Sequence, residues 1–392
     1  MKRFLALVLC ALFLFTGCTD SGSSSALPVA ADPQSTPAPT PSPTPSPSVQ
    51  FTASGDNLIH GSIYLQAQRR TFDGSYDFGP LYENVSYFYA QQDLNFINQE
   101  TLVSDELEPS HYPLFCSPGD VARACYDVGF RMFGTSNNHI YDKGAEGIES
   151  TLRFWESMPE DVLTSGLWKN GEESEIPLYE KDGITFALLA YTQYTNGIPT
   201  PQNSPAHVIL TSETELIEQQ ITKANELADV VLVSVHWGNE DSHAVTDGQR
   251  ALAQQMADWG ADLIIGTHPH VLQSAQWLER QDGGRSFVAY SLGNFVSAQS
   301  KPDQLIGAVF SCTFQKNADG ETELLNPCFY PTVTHYGAGY SNITVYFLQD
   351  YSEELAQAHG VRSDYPYFNQ EYIQQVISDN LPQEYLAGED AA

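Results

Sequence analysis

Positive charge is scarce in this chain. Its 392 residues hold 17 Lys+Arg against 49 Asp+Glu, a formal net charge of −32 at pH 7. So acidic a surface excludes a protein that grips DNA, RNA or an anionic membrane through a broad positive face, and no nucleic-acid partner is expected. The apolar run at the N-terminus, Phe4–Phe15, is short: as a helix it would reach only ~18 Å, less than a bilayer core. Cysteine is sparse, with six residues and no zinc-site spacing among them, so thiolate metal chemistry is excluded. No internal repeat is present. What remains is 42% apolar, a composition that builds a packed core rather than a disordered acidic chain.

The N-terminus reads as an export signal. Lys2 and Arg3 precede the apolar run, and Thr16-Gly17-Cys18 follows it, the order of a secretory signal peptide over residues 1–17. The Thr-Gly-Cys ending resembles a bacterial lipobox, which implies cleavage before Cys18 and lipidation of its sulfur. Phe15 stands where an aliphatic residue is more usual, and ordinary secretion with cleavage elsewhere is the alternative. Residues 18–49 are rich in Pro, Ser and Thr. Alternating Pro from Thr36 to Pro47 blocks helix and ladder alike and favours extended polyproline II, a spacer between anchor and domain. Four cysteines then remain, Cys116, Cys125, Cys312 and Cys328. Two local disulfides, Cys116 with Cys125 and Cys312 with Cys328, and free buried thiols are both open readings.

From Gln50 the pattern is α/β. Strands are expected at Phe51–Ser54, Leu94–Asn98, Phe130–Gly134, Ile184–Tyr191, Val230–Val235, Leu263–Gly266 and Phe287–Ser291. Helices are expected at Pro118–Val128, Ala145–Ser157, Ser212–Leu227 and Asp247–Trp259. The last is marked by Asp247 as N-cap, apolar Ala251, Leu252 and Met256, and Gly260 as its stop. Residues 301–392 turn β-rich and complete the domain of residues 50–300, with a helix at Glu371–Ile377 that reads as peripheral.

Ligands of open α/β sheets bind beyond the carboxyl ends of strands. Metal-ligand residue types gather there: Asp56 and His60; Asn98 and Glu100; Asn137-Asn138-His139 with Asp142; His236-Trp237-Gly238; His268-Pro269-His270; and Asn294. One such residue alone reads as a turn or a cap, but the recurrence at five or more strand ends does not. His-Pro-His holds two imidazoles a short distance apart, one for each of two neighbouring metals. Carboxylate, amide and imidazole together suit Mn²⁺, Zn²⁺ or Fe rather than Ca²⁺. Trp237 reads as core or as a stacking surface, and Ser291, Gly293 and Asn294 as a turn or as pocket lining. His111, His207, His243, His335 and His359 lie outside the pattern.

Over about Gln50 to Ser297, these residues resemble the CapA (PgsA) family of poly-γ-glutamate capsule synthesis proteins. The most specific parts are Asn137-Asn138-His139 with Asp142-Lys143-Gly144, His236-Trp237-Gly238, Gly260-Ala261-Asp262, His268-Pro269-His270-Val271 and Tyr290–Phe295. The resemblance implies a four-layer αββα, metallophosphoesterase-like sandwich with a dinuclear metal centre. It implies Asp56 on the first metal, Glu100 as the bridging carboxylate, and Asn138 and His236 on the second metal. His268 and His270 would serve one metal each. His139 would be general acid or charge stabiliser, and Asn98 and Asp142 would orient the ligands. Many phosphoesterases have His two residues after the first Asp; here that residue is Leu58, and His60 is the candidate replacement.

Three functions follow as expectations. The first is a metal-dependent hydrolase at the cell surface, acting on a phosphoester or an anionic surface polymer. The second is an anchored assembly factor within a polymer-synthesis or export complex. The third is a non-catalytic binding lipoprotein. A net charge of −32 repels a polyanion out to about the Debye length, ~8–10 Å, which confines any polymer contact to the metal cleft or to a partner protein.

Overall fold

Two sheets, both mixed, lie face to face in the computed structural model, which describes residues 46–388. The signal peptide, Cys18 and nearly all of the linker fall outside the described residues. The first sheet has eight strands. Its order is Ser341–Phe347, Thr322–Gly337, Ile306–Lys316, Ser48–Asn57, Leu94–Asn98, Phe130–Gly134 and Leu163–Ser165, with Asn294–Val296 beside the end of Ser48–Asn57. The four strands from Ser48–Asn57 to Leu163–Ser165 run parallel, and the three C-terminal ones extend the sheet antiparallel. The second sheet runs Leu272–Glu279, Arg285–Leu292, Leu263–Thr267, Val230–His236, Ile184–Thr192 and Leu178–Lys181, with a parallel centre and antiparallel edges.

The near-continuous apolar runs follow from burial on both faces. In Val230–His236, Val230 and Leu232 point into the core shared with the first sheet. Val231, Val233 and Val235 point the other way, onto helices Thr214–Leu227 and Asp247–Trp259. The alternation is the two-residue period of a strand. Between the sheets Phe51 stacks on Phe186 at 6.5 Å and Phe287 on Phe310 at 5.2 Å. Helices Gly61–Arg69, Asp120–Val128 and Gly144–Glu156 accompany the first sheet, so the layers are those of the expected αββα sandwich.

Several details differ from the sequence expectations. Helix Asp247–Trp259 is capped by Thr246, not Asp247: its Oγ1 accepts the Gln249 N–H at 3.1 Å in a capping box. Its buried face is Gln249, Ala253, Met256 and Ala257, with Ala251 exposed. The C-terminal helix Gln370–Asn380 is not peripheral, since Ile373, Val376 and Ile377 are buried in the main core. All four described cysteines are free, so the disulfide reading gives way to the free-thiol one. Cys312 faces the core, and Cys328 lies across the ladder from Ser311, so the latter two do not face each other.

Candidate metal centre

The carboxyl ends of parallel strands from both sheets converge on one buried polar cluster. Asp56 is the next-to-last residue of Ser48–Asn57, and its N–H donates to the Gly293 carbonyl at 3.0 Å. That approach requires Gly55, because a Cβ there would run into the same carbonyl oxygen. Asn98 ends the neighbouring strand, with Glu100 two residues beyond, and His236 ends Val230–His236. His268 and His270 follow Leu263–Thr267 in left-handed backbone, at φ +94° and +59°. Such angles are unfavourable for a residue with a Cβ, and local strain of this kind collects at functional sites.

The side chains meet closely. Asn98 Nδ2 donates to Asp56 Oδ1 at 2.8 Å, and the His268 N–H donates to Asp56 Oδ2 at 3.2 Å. His270 Nδ1 lies 3.2 Å from Asp56 Oδ2 and 3.1 Å from Asn294 Oδ1. His236 Nδ1 is 3.0 Å from Thr267 Oγ1. When it donates there, Nε2 presents a lone pair to Asn138 Oδ1 at 3.1 Å and to Glu100 Oε1 at 3.5 Å, with His268 Nδ1 at 3.2 Å. Three acceptors facing one another with so few protons between them are a cation site by their chemistry.

Glu100 is fully buried and neither of its carboxylate oxygens has a hydrogen-bond partner. Its nearest ring nitrogens are those of His236 and His270, 3.5 and 3.6 Å from Oε1; a buried carboxylate without a hydrogen bond is unfavourable, and the position favours a cation beside it. Burial pushes the Glu100 pKa well above the carboxylate range, with His270 opposing. At His270 burial disfavours the charged ring, but Glu100 and Asp56 overcome it and hold the pKa up at about 10. Burial, reinforced by the neighbouring imidazoles, drives His268 down to about 2 and His236 well below its usual value, so both are neutral ligands in form.

Ligand atoms fall into three groups, each within 4.8 Å: Asp56, Glu100 and His270; Glu100, His236 and His268; and Glu240, His268 and His270. The first two share Glu100. Asn138 joins the second through His236. His60 belongs to none of these groups among the described residues. It precedes helix Gly61–Arg69, its Nδ1 accepts the Ala298 N–H at 3.3 Å, and burial holds its pKa at about 4 against the pull of the Leu58 carbonyl.

His139 stands beside the cluster. Its Nδ1 is 2.7 Å from Asp142 Oδ2, which also accepts the Phe115 N–H at 2.6 Å, and the Phe115 ring packs edge-on against the imidazole. Trp237 is core: 1% exposed, its Nε1–H donates to the Tyr290 carbonyl at 2.9 Å. Asn294 does more than shape a turn, since it contacts His270 and its amide donates to the Gln304 carbonyl at 2.8 Å. Reading from sequence places Thr267 and Glu240 in the segments that follow two strands but gives them no role; Thr267 sits against His236, and the Glu240 carboxylate lies close to His268 and His270. Reading from sequence also passed over Asn196, whose Oδ1 accepts from Asn138 Nδ2 at 3.2 Å.

An αββα sandwich with a buried His, Asp and Glu cluster at its strand ends is the class of protein observed, with residue groups that could hold a divalent metal ion. The profile described as "Bacterial capsule synthesis protein PGA_cap" matches residues 50–299, and the chain belongs to that family. The chain is 33% identical over 199 residues to the "PGA biosynthesis protein CapA" of Bacillus subtilis (strain 168), covering 50% of each. To the "Capsule biosynthesis protein CapA" of Bacillus anthracis it is 32% identical over 186 residues, 46% of this chain and 43% of that one. It thus spans about half the length of the curated relatives it matches. Among solved structures, it is similar to a Staphylococcus aureus protein assigned as a 5'-nucleotidase and crystallised with alpha-ketoglutarate. That match has TM-score 0.45 and 16% identity, over 72% of this chain and 54% of that chain. Haemophilus influenzae NAD nucleotidase (NadN) matches with TM-score 0.43 and 12% identity, over 88% and 64%. No helix among the described residues is long and apolar enough to cross a membrane.

Proposed function

We propose that this chain is a lipid-anchored, extracytoplasmic hydrolase of capsule assembly that works with two divalent transition-metal ions, Mn, Zn or Fe. Its substrate is a linkage in poly-γ-glutamate or a related surface polymer. The observation that carries the reading is Glu100: buried, unpartnered at both oxygens, and common to two three-residue ligand groups. On this reading Asp56, Glu100 and His270 hold one ion, and Glu100, His236, His268 and Asn138 hold the other. Bound there, the ions supply Lewis-acid neutralisation of charge on the substrate oxygen and a more acidic water. Asn98 and Asn294 fix the rotamers of Asp56 and His270 through the hydrogen bonds already described. Asp142 accepts from His139 Nδ1, which leaves Nε2 to give a proton to the leaving group.

A second reading, the same chemistry on a different envelope substrate, is favoured by charge. A chain of net −32 with Glu240 at the edge of the centre repels a polyanion. Two measurements test the proposal on the full-length protein. Elemental analysis after metal loading should return close to two ions per chain. Methyl p-nitrophenyl phosphate should be hydrolysed only by the loaded form. Trace metal with no saturable uptake would remove the metal reading, and full loading without turnover of this ester or of a γ-glutamyl substrate would remove the hydrolase reading.

A further inference from the structure

Strand Val230–His236 runs on through Trp237 and Gly238 into three exposed residues, Asn239, Glu240 and Asp241, at the rim of the centre. Hydrogen bonds from the backbone hold this segment at both ends. The Trp237 N–H donates to the Thr267 carbonyl at 3.0 Å, the Gly238 N–H to Gln193 Oε1 at 2.9 Å, and the Asp241 N–H to the Pro269 carbonyl at 2.9 Å. Pro269 lies between His268 and His270, so the last bond fixes the backbone next to Glu240 against the turn that carries both imidazoles. The Asp241 carboxylate is held in its turn: it pairs with Lys301 Nζ at 2.6 Å and accepts Gln304 Nε2. The Gln304 carbonyl accepts Asn294 Nδ2 at 2.8 Å, and Asn294 touches His270.

Asp241 thus takes the cation of this rim, and Lys301 acts on Glu240 only through space. Among the described residues Glu240 makes no ion pair with Lys or Arg. Its carboxylate faces the centre instead: one of its oxygens and a ring nitrogen each of His268 and His270 lie within 4.8 Å of one another. Atoms bound to one transition-metal ion at ~2.0–2.2 Å stand at most ~4.4 Å apart, so a small turn of the side chain closes the set. Across the rim stand Tyr194, its ring centroid 5.5 Å from that of His268, and Asn196, bonded to Asn138; neither carries charge. On the reading above, the ion of His268 has four side chains, Glu100, His236, His268 and Asn138, whereas the ion of His270 has three, Asp56, Glu100 and His270. Those three are all buried, which leaves the exposed Glu240 to approach from the open side.

We propose that Glu240 is a further carboxylate ligand of the metal centre, reaching the His270 ion from the solvent side. This rests on the two-metal reading and adds a residue to it. The backbone around Glu240 is pinned while its side chain is exposed, so the carboxylate can turn away without moving the segment. It is therefore the ligand that gives up its place, leaving the open position that a catalytic metal site needs for water or substrate. Two divalent ions against three carboxylates leave the loaded centre positive, so an anionic substrate group is still attracted at the ions themselves.

The test is a calorimetric titration of the chelator-stripped full-length protein with Mn²⁺, comparing wild type with Glu240→Gln. The wild type should take up two ions. Glu240→Gln should weaken one of the two steps at least about tenfold, because even a group that only supports a ligand is worth about 10–100-fold in metal affinity. The other step should be unchanged, and so should Tm in excess chelator, since Glu240 is exposed and makes no contact that folding needs. The loss should persist between about 0.1 M and about 1 M salt: a charge acting from a distance is screened as the Debye length falls from ~10 to ~3 Å, whereas a coordinate bond is not. Two unchanged steps in Glu240→Gln, or a loss that disappears in high salt, overturn the assignment and leave the two-metal reading in place. A wild type that takes up fewer than two ions overturns both.

Discussion

Glu100 Oε1 lies 3.6 Å from His270 Nε2: burial pushes the Glu100 pKa up and His270 opposes that shift, while Glu100 and Asp56 hold the His270 ring protonated to about pH 10. Without a metal ion the proton on His270 supplies the positive charge that a buried Glu100 needs. A metal ion replaces it, so binding must expel a proton. Affinity for Mn²⁺ or Zn²⁺ should therefore rise with pH below about 10, by up to about tenfold per pH unit for each proton released. Calorimetry in buffers of different ionisation enthalpy counts the protons directly. Binding that is independent of pH between 6 and 9 contradicts this coupling.

Glu100→Gln tests the shared carboxylate more simply. Metal at 100 times its dissociation constant should stabilise the wild type by about 2.7 kcal/mol, seen as a higher Tm. In Glu100→Gln most of that shift should vanish and metal content should fall. A variant that keeps the full metal-induced shift would show that Glu100 is not a ligand.

His268 tests backbone strain. Its φ of +94° suits glycine, so without metal His268→Gly should be about 1 kcal/mol more stable than His268→Ala, while both lose metal. Urea midpoints in excess chelator compare the two. Equal stability would mean the left-handed backbone carries little strain.

Much of this was legible in the sequence, for identifiable reasons. The Leu94–Asn98 and Phe130–Gly134 strands keep the bounds their apolar runs suggest, because a polar residue and a glycine close them. His, Asp and Glu at strand ends were visible because carboxylates and imidazoles recurring after apolar runs are rarely needed for folding. Tyr194 and Asn196 were not, since an exposed Tyr and Asn after a strand look like any loop, and their place over His268 and His139 is set by tertiary packing. Ile373, Val376 and Ile377 were read as peripheral because a short amphipathic helix says nothing about which surface it covers. His60 was drawn in by spacing alone, and the fold turns its Nδ1 to the Ala298 N–H instead.

Asp142 should matter to chemistry and little to metal. It accepts both the His139 ring nitrogen and the Phe115 N–H, so it orients the imidazole. Asp142→Asn weakens the charge-assisted bond and allows the other tautomer. Turnover of methyl p-nitrophenyl phosphate should fall at least about 100-fold at unchanged metal content, the scale of lost general acid catalysis. A fall in metal content instead would place Asp142 among the groups that support ligands.

His359, which belongs to none of the ligand groups, gives the domain an acid limit of its own. It is 2% exposed, its Nε2 is 3.0 Å from the Thr334 carbonyl, and its Nδ1 accepts the Val361 N–H at 3.0 Å. Burial disfavours the charged ring and, against the pull of the Thr334 carbonyl and with His335 beside it, lowers the pKa to about 4; a second proton on Nδ1 would also face the Val361 donor. In the unfolded chain the group titrates near 6.5. Between those values the unfolded state binds more protons, so stability is complete above pH 6.5, declines as pH falls toward 4, and levels off below it. The shift corresponds to at most about 3 kcal/mol, at 1.36 kcal/mol per pH unit. His335, also lowered to about 4 by burial, adds to the same window. His359→Gln should lower Tm at pH 7.5, because its two backbone contacts are disturbed, but flatten the loss between pH 6.5 and 4. An unchanged slope in that variant would assign the acid limit to other groups.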